Sequence, residues 1–467
     1  MLTLADFERD ALATLLAYGE IPCQSPMYDS AWRENGHLEA AVELLADWAR
    51  QRRLANFDVA VHRLDGRTPL LAVTVEATGA GSGTAVLYGH LDKQPPLGEW
   101  SEGLGPYSPT RVGDRLYARG LADDGYSTFS ALLALEALEA AGTPHSRVIV
   151  VIEASEESGS PDLDAYLEEL HDHLGDVRFM ICLDSGALTY DRLWVTTSLR
   201  GIVNVAVTVG VLSRGQHSGA VSGVAPSSFR LLRQLLDRVE DSRTGDILVD
   251  ELLAEIPDAH LDAARATAEE FGDVTVADLP LLDGVAPMGA SAAERILRST
   301  WYPTLSVVGM GGVPEPAIAG NVLRPHTTAL LSFRLPPTTN SADAARAIVS
   351  TLSADAPEGA AVEVELIQAG DGWMAPPLEP WLDDALSEAS RVAFGREAGF
   401  TGEGGSIPFL ASLAGRFPEA AFVATGVLGP DSNAHGIDEM LDLPTAVAVT
   451  NAVSHLLASF AAADEGR

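Results

Sequence analysis

The chain has almost no lysine. Lys93 stands alone, every other basic side chain is arginine, and 30 Lys and Arg face 66 Asp and Glu for a formal net charge of −36. So few cations leave no basic patch for a phosphate backbone or an anionic bilayer, which argues against nucleic acid and membrane as partners. Cysteine is scarce too. Cys23 and Cys182 lie far apart, and Cys182 falls in the apolar run 179–183, the setting of a buried free thiol rather than a disulfide. The start, MLTLADFERD, lacks a basic stretch followed by a long apolar one, and no uninterrupted apolar run is long enough to span a bilayer. The expectation is a soluble, cytoplasmic protein.

Apolar residues, by contrast, fill 46% of 467 positions, more than a single core absorbs, so two domains are expected. Apolar runs at 70–75, 84–88, 148–152 and 179–183 have the length and continuity of strands buried in an α/β sheet. The series Gly79, Gly81, Gly83 opens a strand rather than a helix, so it reads as a hairpin turn between 70–75 and 84–88, not as a phosphate loop. A helix over 126–141 stops at Gly142 and Pro144. From about residue 200 the style changes. Strands at 202–211, 327–335 and 361–368 alternate with helices at 227–239 and 342–352, the order of a smaller α+β domain. The first style returns at 380, with a helix, a glycine-rich loop, a strand at 420–424 and a last helix from 444. This predicts an α/β domain in two parts, 1–199 and 370–467, interrupted by an inserted domain at 200–369. The acidic stretch 241–299 carries no assignable chemistry.

Several strand-like runs end in residues that bind hard or borderline cations. The run 84–88 leads to His90 and Asp92, 148–152 leads to Glu156 and Glu157, and 179–183 leads to Asp184. The strand at 420–424 precedes a loop carrying His435, and the loop before helix 126–141 carries Asp123 and Asp124. Alone, an Asp pair before a helix is more often a cap and a Glu pair a solvated surface feature. Five segments delivering His, Asp or Glu to the carboxyl edge of one α/β sheet point instead to a site.

The stretches GHLDKQP (89–95), LYARGLADDG (116–125), EASEESGS (153–160), QHSG (216–219), EGGSIP (403–408) and NAHG (433–436) carry a specific likeness. From about residue 38 to 457 the chain resembles the dinuclear zinc peptidases, which include carnosinases, cytosolic dipeptidases, succinyl-diaminopimelate desuccinylase, aminoacylases and glutamate-releasing carboxypeptidases. The dipeptidase branch is the nearest. The resemblance implies an α/β zinc-peptidase catalytic domain with a central, mostly parallel sheet, and an inserted α+β domain serving as lid and dimerisation surface.

Carried over by position, the resemblance makes Asp123 the carboxylate bridging two divalent ions. His90 and Asp184 complete one site, and Glu157 and His435 the other. Zinc is the expected metal, with manganese and cobalt as alternatives. Asp92 orients His90, as a ligand histidine requires of its second nitrogen, and Glu156 is the general base acting on a metal-activated water. Adjacent side chains in extended chain point opposite ways, so Glu156 and Glu157 can serve different partners. In the inserted domain His217 matches a histidine that reaches the active site of the partner subunit. Asn321 matches a polar substrate contact, and Arg334 the arginine that grips the substrate carboxylate. Backbone N–H groups around Gly405 and Ser406 offer further donors. The implied reaction is hydrolysis of an amide in a small substrate, a dipeptide with a free C-terminal carboxylate, by a homodimer. The alternatives are an N-acyl-amino-acid deacylase and, from another class, a metal-free binding relative. Two positions depart from the dipeptidase pattern: Gly125 and Tyr126 follow Asp124 where a Lys-Gly pair is usual, and Lys93 stands where valine is usual.

Overall fold

A computed structural model describes residues 1–277, 279–405 and 408–466. The chain divides into two compact units, the first formed by Met1–Thr197, Ala375–Thr401 and Ser412–Arg467, the second by Ser198–Met374 and Gly402–Ala411. In chain order the principal strands are β1 (Phe57–His62), β2 (Leu70–Val75), β3 (Thr84–His90), β4 (Arg147–Glu153), β5 (Val177–Cys182), β6 (Trp194–Leu199), β7 (Gly201–Gly210), β8 (Thr304–Gly311), β9 (His326–Leu335), β10 (Ala361–Gly370) and β11 (Ala421–Ala424).

The sheet of the first unit has the order β1-β2-β4-β3-β5-β11-β6. Its inner strands β4, β3, β5 and β11 are mutually parallel. On one side β2 runs antiparallel to β4, and β1 antiparallel to β2; on the other side β6 runs antiparallel to β11. Both β2 and β3 are buried along their whole length, as strands covered on two faces must be. Helix Ser127–Ala141 is buried over most of its length and meets helix Leu443–Glu465 through Ser130 Oγ and Thr450 Oγ1 at 2.6 Å.

One expectation changes here. No hairpin joins β2 to β3, because β4 lies between them, antiparallel to β2 and parallel to β3. The apolar run of β4 takes the interior place. The glycine loop instead lies against the end of helix Leu443–Glu465: Gly83 N–H donates to Asp464 at 2.8 Å, and a Cβ on Gly81 would fall 2.2 Å from Asp464 Oδ2. Helix Leu443–Glu465 is long and apolar enough, by length and composition, to cross a membrane, but Thr445, Thr450, Asn451, Ser454, His455 and Ser459 interrupt its apolar run. Val453, Leu456, Leu457 and Phe460 are buried in the core of the first unit.

The second unit is built on the antiparallel sheet β8-β9-β7-β10. Strand β7 alternates strictly, burying Val203, Val205, Val207 and Val209 under Leu231, Leu235, Ile348 and Leu352 of helices Ser228–Leu236 and Ser341–Ser353. The acidic stretch forms its own small cluster, in which Ala264, Ile296 and Leu297 pack around Trp301. Segment Gly402–Ala411 groups with this unit rather than with the C-terminal part of the first.

Candidate metal centre

Because β3, β4, β5 and β11 run parallel, their carboxyl ends fall on one edge of the sheet. His90 closes β3, Glu156 and Glu157 begin the 3-10 turn Glu156–Ser158 after β4, and Asp184 follows β5. His435 lies in the loop after β11, where it adopts a left-handed φ of 63°, as do Asp431, Asn433 and Asp438 nearby. Left-handed backbone costs a non-glycine residue on the order of 1 kcal/mol, and such residues collect at functional sites.

Asp123 sits between the two histidines. Its Oδ1 is 3.1 Å from His90 Nε2, and its Oδ2 is 2.9 Å from His435 Nε2. Each histidine has a second acidic neighbour: Asp184 Oδ2 lies 3.8 Å from His90 Nε2, and Glu157 Oε2 lies 3.3 Å from His435 Nε2. Ligand atoms of His90, Asp123 and Glu157 lie within 4.8 Å of one another, as do those of His90, Glu156 and Asp184. Asp124 Oδ2 accepts the His90 N–H at 3.1 Å. The peptide joining Asp123 to Asp124 is cis.

Asp92, fully buried, acts on both sides of this group. Its backbone carbonyl accepts from His90 Nδ1 at 3.0 Å, while its carboxylate accepts the N–H groups of Glu156 and Glu157 at 3.1 and 3.0 Å. It therefore orients His90 chiefly through its carbonyl and uses its charge to hold the glutamate turn. Gln94 Nε2 donates to Glu157 at 2.6 Å. Lys93, also fully buried, points away and donates Nζ to the carbonyls of Tyr18, Gly19 and Ile21 at 3.0, 3.4 and 2.9 Å.

The electrostatics follow from crowding carboxylates out of water. Burial pushes Glu156 well above the ordinary carboxylate range, and the charges of Asp184 and Glu157 push further. Burial opposes the charged form of His435, yet its hydrogen bonds and charge contacts with Asp123 and Glu157 win and raise its pKa to about 11. His90 is raised in the same way, Asp123, Asp92 and Asp184 outweighing burial. Four carboxylates and two imidazoles, with the His90, Asp123 and Asp184 side chains nearly enclosed, form an O/N donor set suited to borderline divalent cations. The residues present fit a divalent metal centre.

The other residues singled out in the sequence belong to the second unit. His217 pairs with Val322 across the short strands Gln216–His217 and Val322–Leu323, and Ser218 N–H donates to Asn321 O at 2.9 Å, so His217 and Asn321 are neighbours with exposed side chains. Arg334 lies half-buried between Thr304 of β8 and Ile202 of β7. Gly405 O accepts from Arg200 N–H at 3.1 Å, and Arg200 Nε donates to Gly404 O at 3.2 Å. Ser406 lies outside the described residues. The braces Gln94 and Arg200 were not singled out. Gln94 stood inside a quoted motif, but nothing in composition or spacing marks Arg200.

Residues 86–459 match the model of peptidase family M20/M25/M40. The chain belongs to this family. As an M20/M25/M40 chain it is 28% identical over 370 residues to a cysteinylglycine-S-conjugate dipeptidase of Corynebacterium striatum, covering 78% of each chain. It is 26% identical over 376 residues to the Cys-Gly metallodipeptidase DUG1 of Saccharomyces cerevisiae, covering 77% of this chain and 76% of the relative. Among solved structures, the dipeptidase Dug1p of the same yeast superposes with a TM-score of 0.80 at 21% identity, over 98% of this chain and 97% of that one. That match bears out the fold expected of this family.

Proposed function

We propose that this member of the family is a dinuclear metal-dependent dipeptidase. The observation that carries the reading is Asp123, whose two oxygens face two different histidines, each with a second carboxylate beside it. His90, Asp123 and Asp184 would hold one ion, and His435, Asp123 and Glu157 the other, with zinc favoured by the mixed O/N donors. When bound, such a pair acidifies a water and polarises the amide carbonyl. Glu156 takes the proton from the water and delivers it to the leaving amine; its enclosure and its acidic neighbours raise its proton affinity toward what that shuttle needs. Asp92 keeps His90 and the Glu156–Glu157 turn in register. The named dipeptidases among the relatives support a dipeptide substrate, for which Arg334 is assigned the terminal carboxylate, and His217 and Asn321 the scissile carbonyl and neighbouring polar groups. The protein is also read as a homodimer joined through the second unit: edge strand β8 leaves Val307, Val308 and Met310 48%, 59% and 45% exposed, an unpaired apolar edge. A library of dipeptides and N-acyl-amino acids, assayed with zinc, manganese and cobalt after metal stripping, tests the reading. Turnover of dipeptides restored by metal supports it, and turnover of acyl-amino acids alone refutes the substrate class.

A further inference from the structure

Glu439 is fully buried, and every hydrogen-bond partner it has among the described residues is a donor. Its Oε1 accepts the N–H groups of Gly120, Ala122 and Asp123 at 2.9, 3.2 and 3.3 Å. Its Oε2 accepts Gly120 N–H at 3.0 Å and Arg119 Nη1 at 2.7 Å. Arg119, itself enclosed, turns its other terminal nitrogen to the carbonyl of Gly436, the residue after His435, at 2.5 Å. One carboxylate thus gathers the backbone of the loop bearing Asp123, and one guanidinium ties that loop to the one bearing His435. Among the described residues no hydrogen bond or ion pair joins either group to the facing side chains of Asp123 and His435, yet both fix the backbones from which those side chains project.

We infer that Glu439, acting through Arg119, is a positioning residue of the metal centre that sets the spacing between Asp123 and His435. The inference rests on the metal reading above. Its physical content is that the site is held open by a frame. Four crowded carboxylates, those of Asp123 and Asp184 buried, and two imidazoles would otherwise relax around protons, and the left-handed backbone at His435 is held against its own preference. A carboxylate suits the place because it only accepts. Glutamine would turn an NH₂ group toward N–H donors and leave the Arg119 charge buried without a counter-charge.

The test is zinc binding to chelator-stripped protein, measured by competition with a chromophoric chelator, for wild type, E439Q, E439D and R119K. Outer partners of metal ligands typically contribute about 10- to 100-fold to affinity, so E439Q is expected to weaken the tighter or the weaker of the two zinc steps by that factor. E439D, which keeps both oxygens, should recover part of the loss. A merely structural role would lower the melting temperature of the stripped protein and leave zinc affinity and stoichiometry at 25 °C unchanged, and that result overturns the inference. If E439Q does not fold, R119K decides. It keeps the charge but loses the fork that spans Glu439 and Gly436, and wild-type zinc affinity in R119K also overturns the assignment. Wild type that binds no zinc removes the metal reading and this inference together; wild type that binds two ions, with E439Q equal to it, removes only the role of Glu439.

Discussion

His435 Nε2 lies 2.9 Å from Asp123 Oδ2, joining the loop after β11 to the loop before helix Ser127–Ala141. Without a cation, a proton must hold that pair together, and His90 with Asp123 repeats the arrangement at 3.1 Å. Purified protein is therefore expected to carry up to two divalent ions per chain, to lose hydrolysis on chelation and to regain it on metal return. Elemental analysis alongside the assay checks this. Full activity at zero metal content would refute the dinuclear reading.

The proton that stands in for metal sets a pH dependence. With His435 held at about 11 in the metal-free centre, its imidazolium must lose a proton before an ion binds. Affinity at that position should rise about tenfold per pH unit for this one proton, throughout the range below about 11. Stability of the stripped protein runs the other way. The folded pKa exceeds the ordinary 6.5, so the stabilisation is complete below 6.5 and is lost as pH climbs towards 11. Calorimetric zinc titrations between about pH 6 and 8 should show the slope, and a flat affinity contradicts it.

Glu156→Gln should cut kcat by about 10²–10⁴-fold while leaving metal content near wild type, since it removes a base and not a ligand. Glu157→Gln should lower metal occupancy as well, because Glu157 faces His435. Retention of more than about a tenth of kcat in Glu156→Gln would end the general-base assignment.

Substrates with a free carboxylate beside the scissile amide should be preferred. A guanidinium binds carboxylate through two parallel hydrogen bonds that lysine cannot reproduce, and bonds to charged partners contribute about 1.5–3 kcal/mol. Amidating the substrate should cost at least about tenfold in kcat/KM, Arg334→Lys a similar factor, and the two losses should not add. Equal hydrolysis of acid and amide would remove Arg334 as the carboxylate clamp.

Placing a charge on the exposed edge, as in Val308→Lys, should shift the protein from dimer to monomer at micromolar concentration, read by sedimentation. A monomeric wild type, or a variant that stays dimeric, would show that β8 is not the interface.

What could be read before the structure was known follows from which interactions are local. Continuous apolar runs mark buried strands, and parallel strands must deliver their ends to one edge, so the convergence of His90, Glu156, Glu157 and Asp184 was legible. Spacing left open which of Asp123 and Asp124 faces the histidines, because that depends on backbone geometry inside one short loop, and only the resemblance singled out Asp123. The supposed hairpin failed for a related reason. A glycine-rich turn announces a change of direction, but the partner of β2 was decided by β4, whose segment lies much later in the chain. The frame of Arg119 and Glu439 was equally hidden, since the adjacent acids Asp438 and Glu439 look like a solvated pair until the N–H groups of Gly120, Ala122 and Asp123 are seen around Glu439.

The burial of Lys93 has a practical chemical consequence. Its ammonium group has no exposed surface and is closed in by the Tyr18, Gly19 and Ile21 carbonyls, so the folded protein offers amine-directed reagents no side-chain target. Crosslinkers and dyes aimed at lysine should pass it by, and coupling must go through carboxylates or arginines instead. A lysine-specific protease should leave the native chain intact and cut it once on unfolding, which turns a single peptide bond into a clean gauge of whether the first unit is folded.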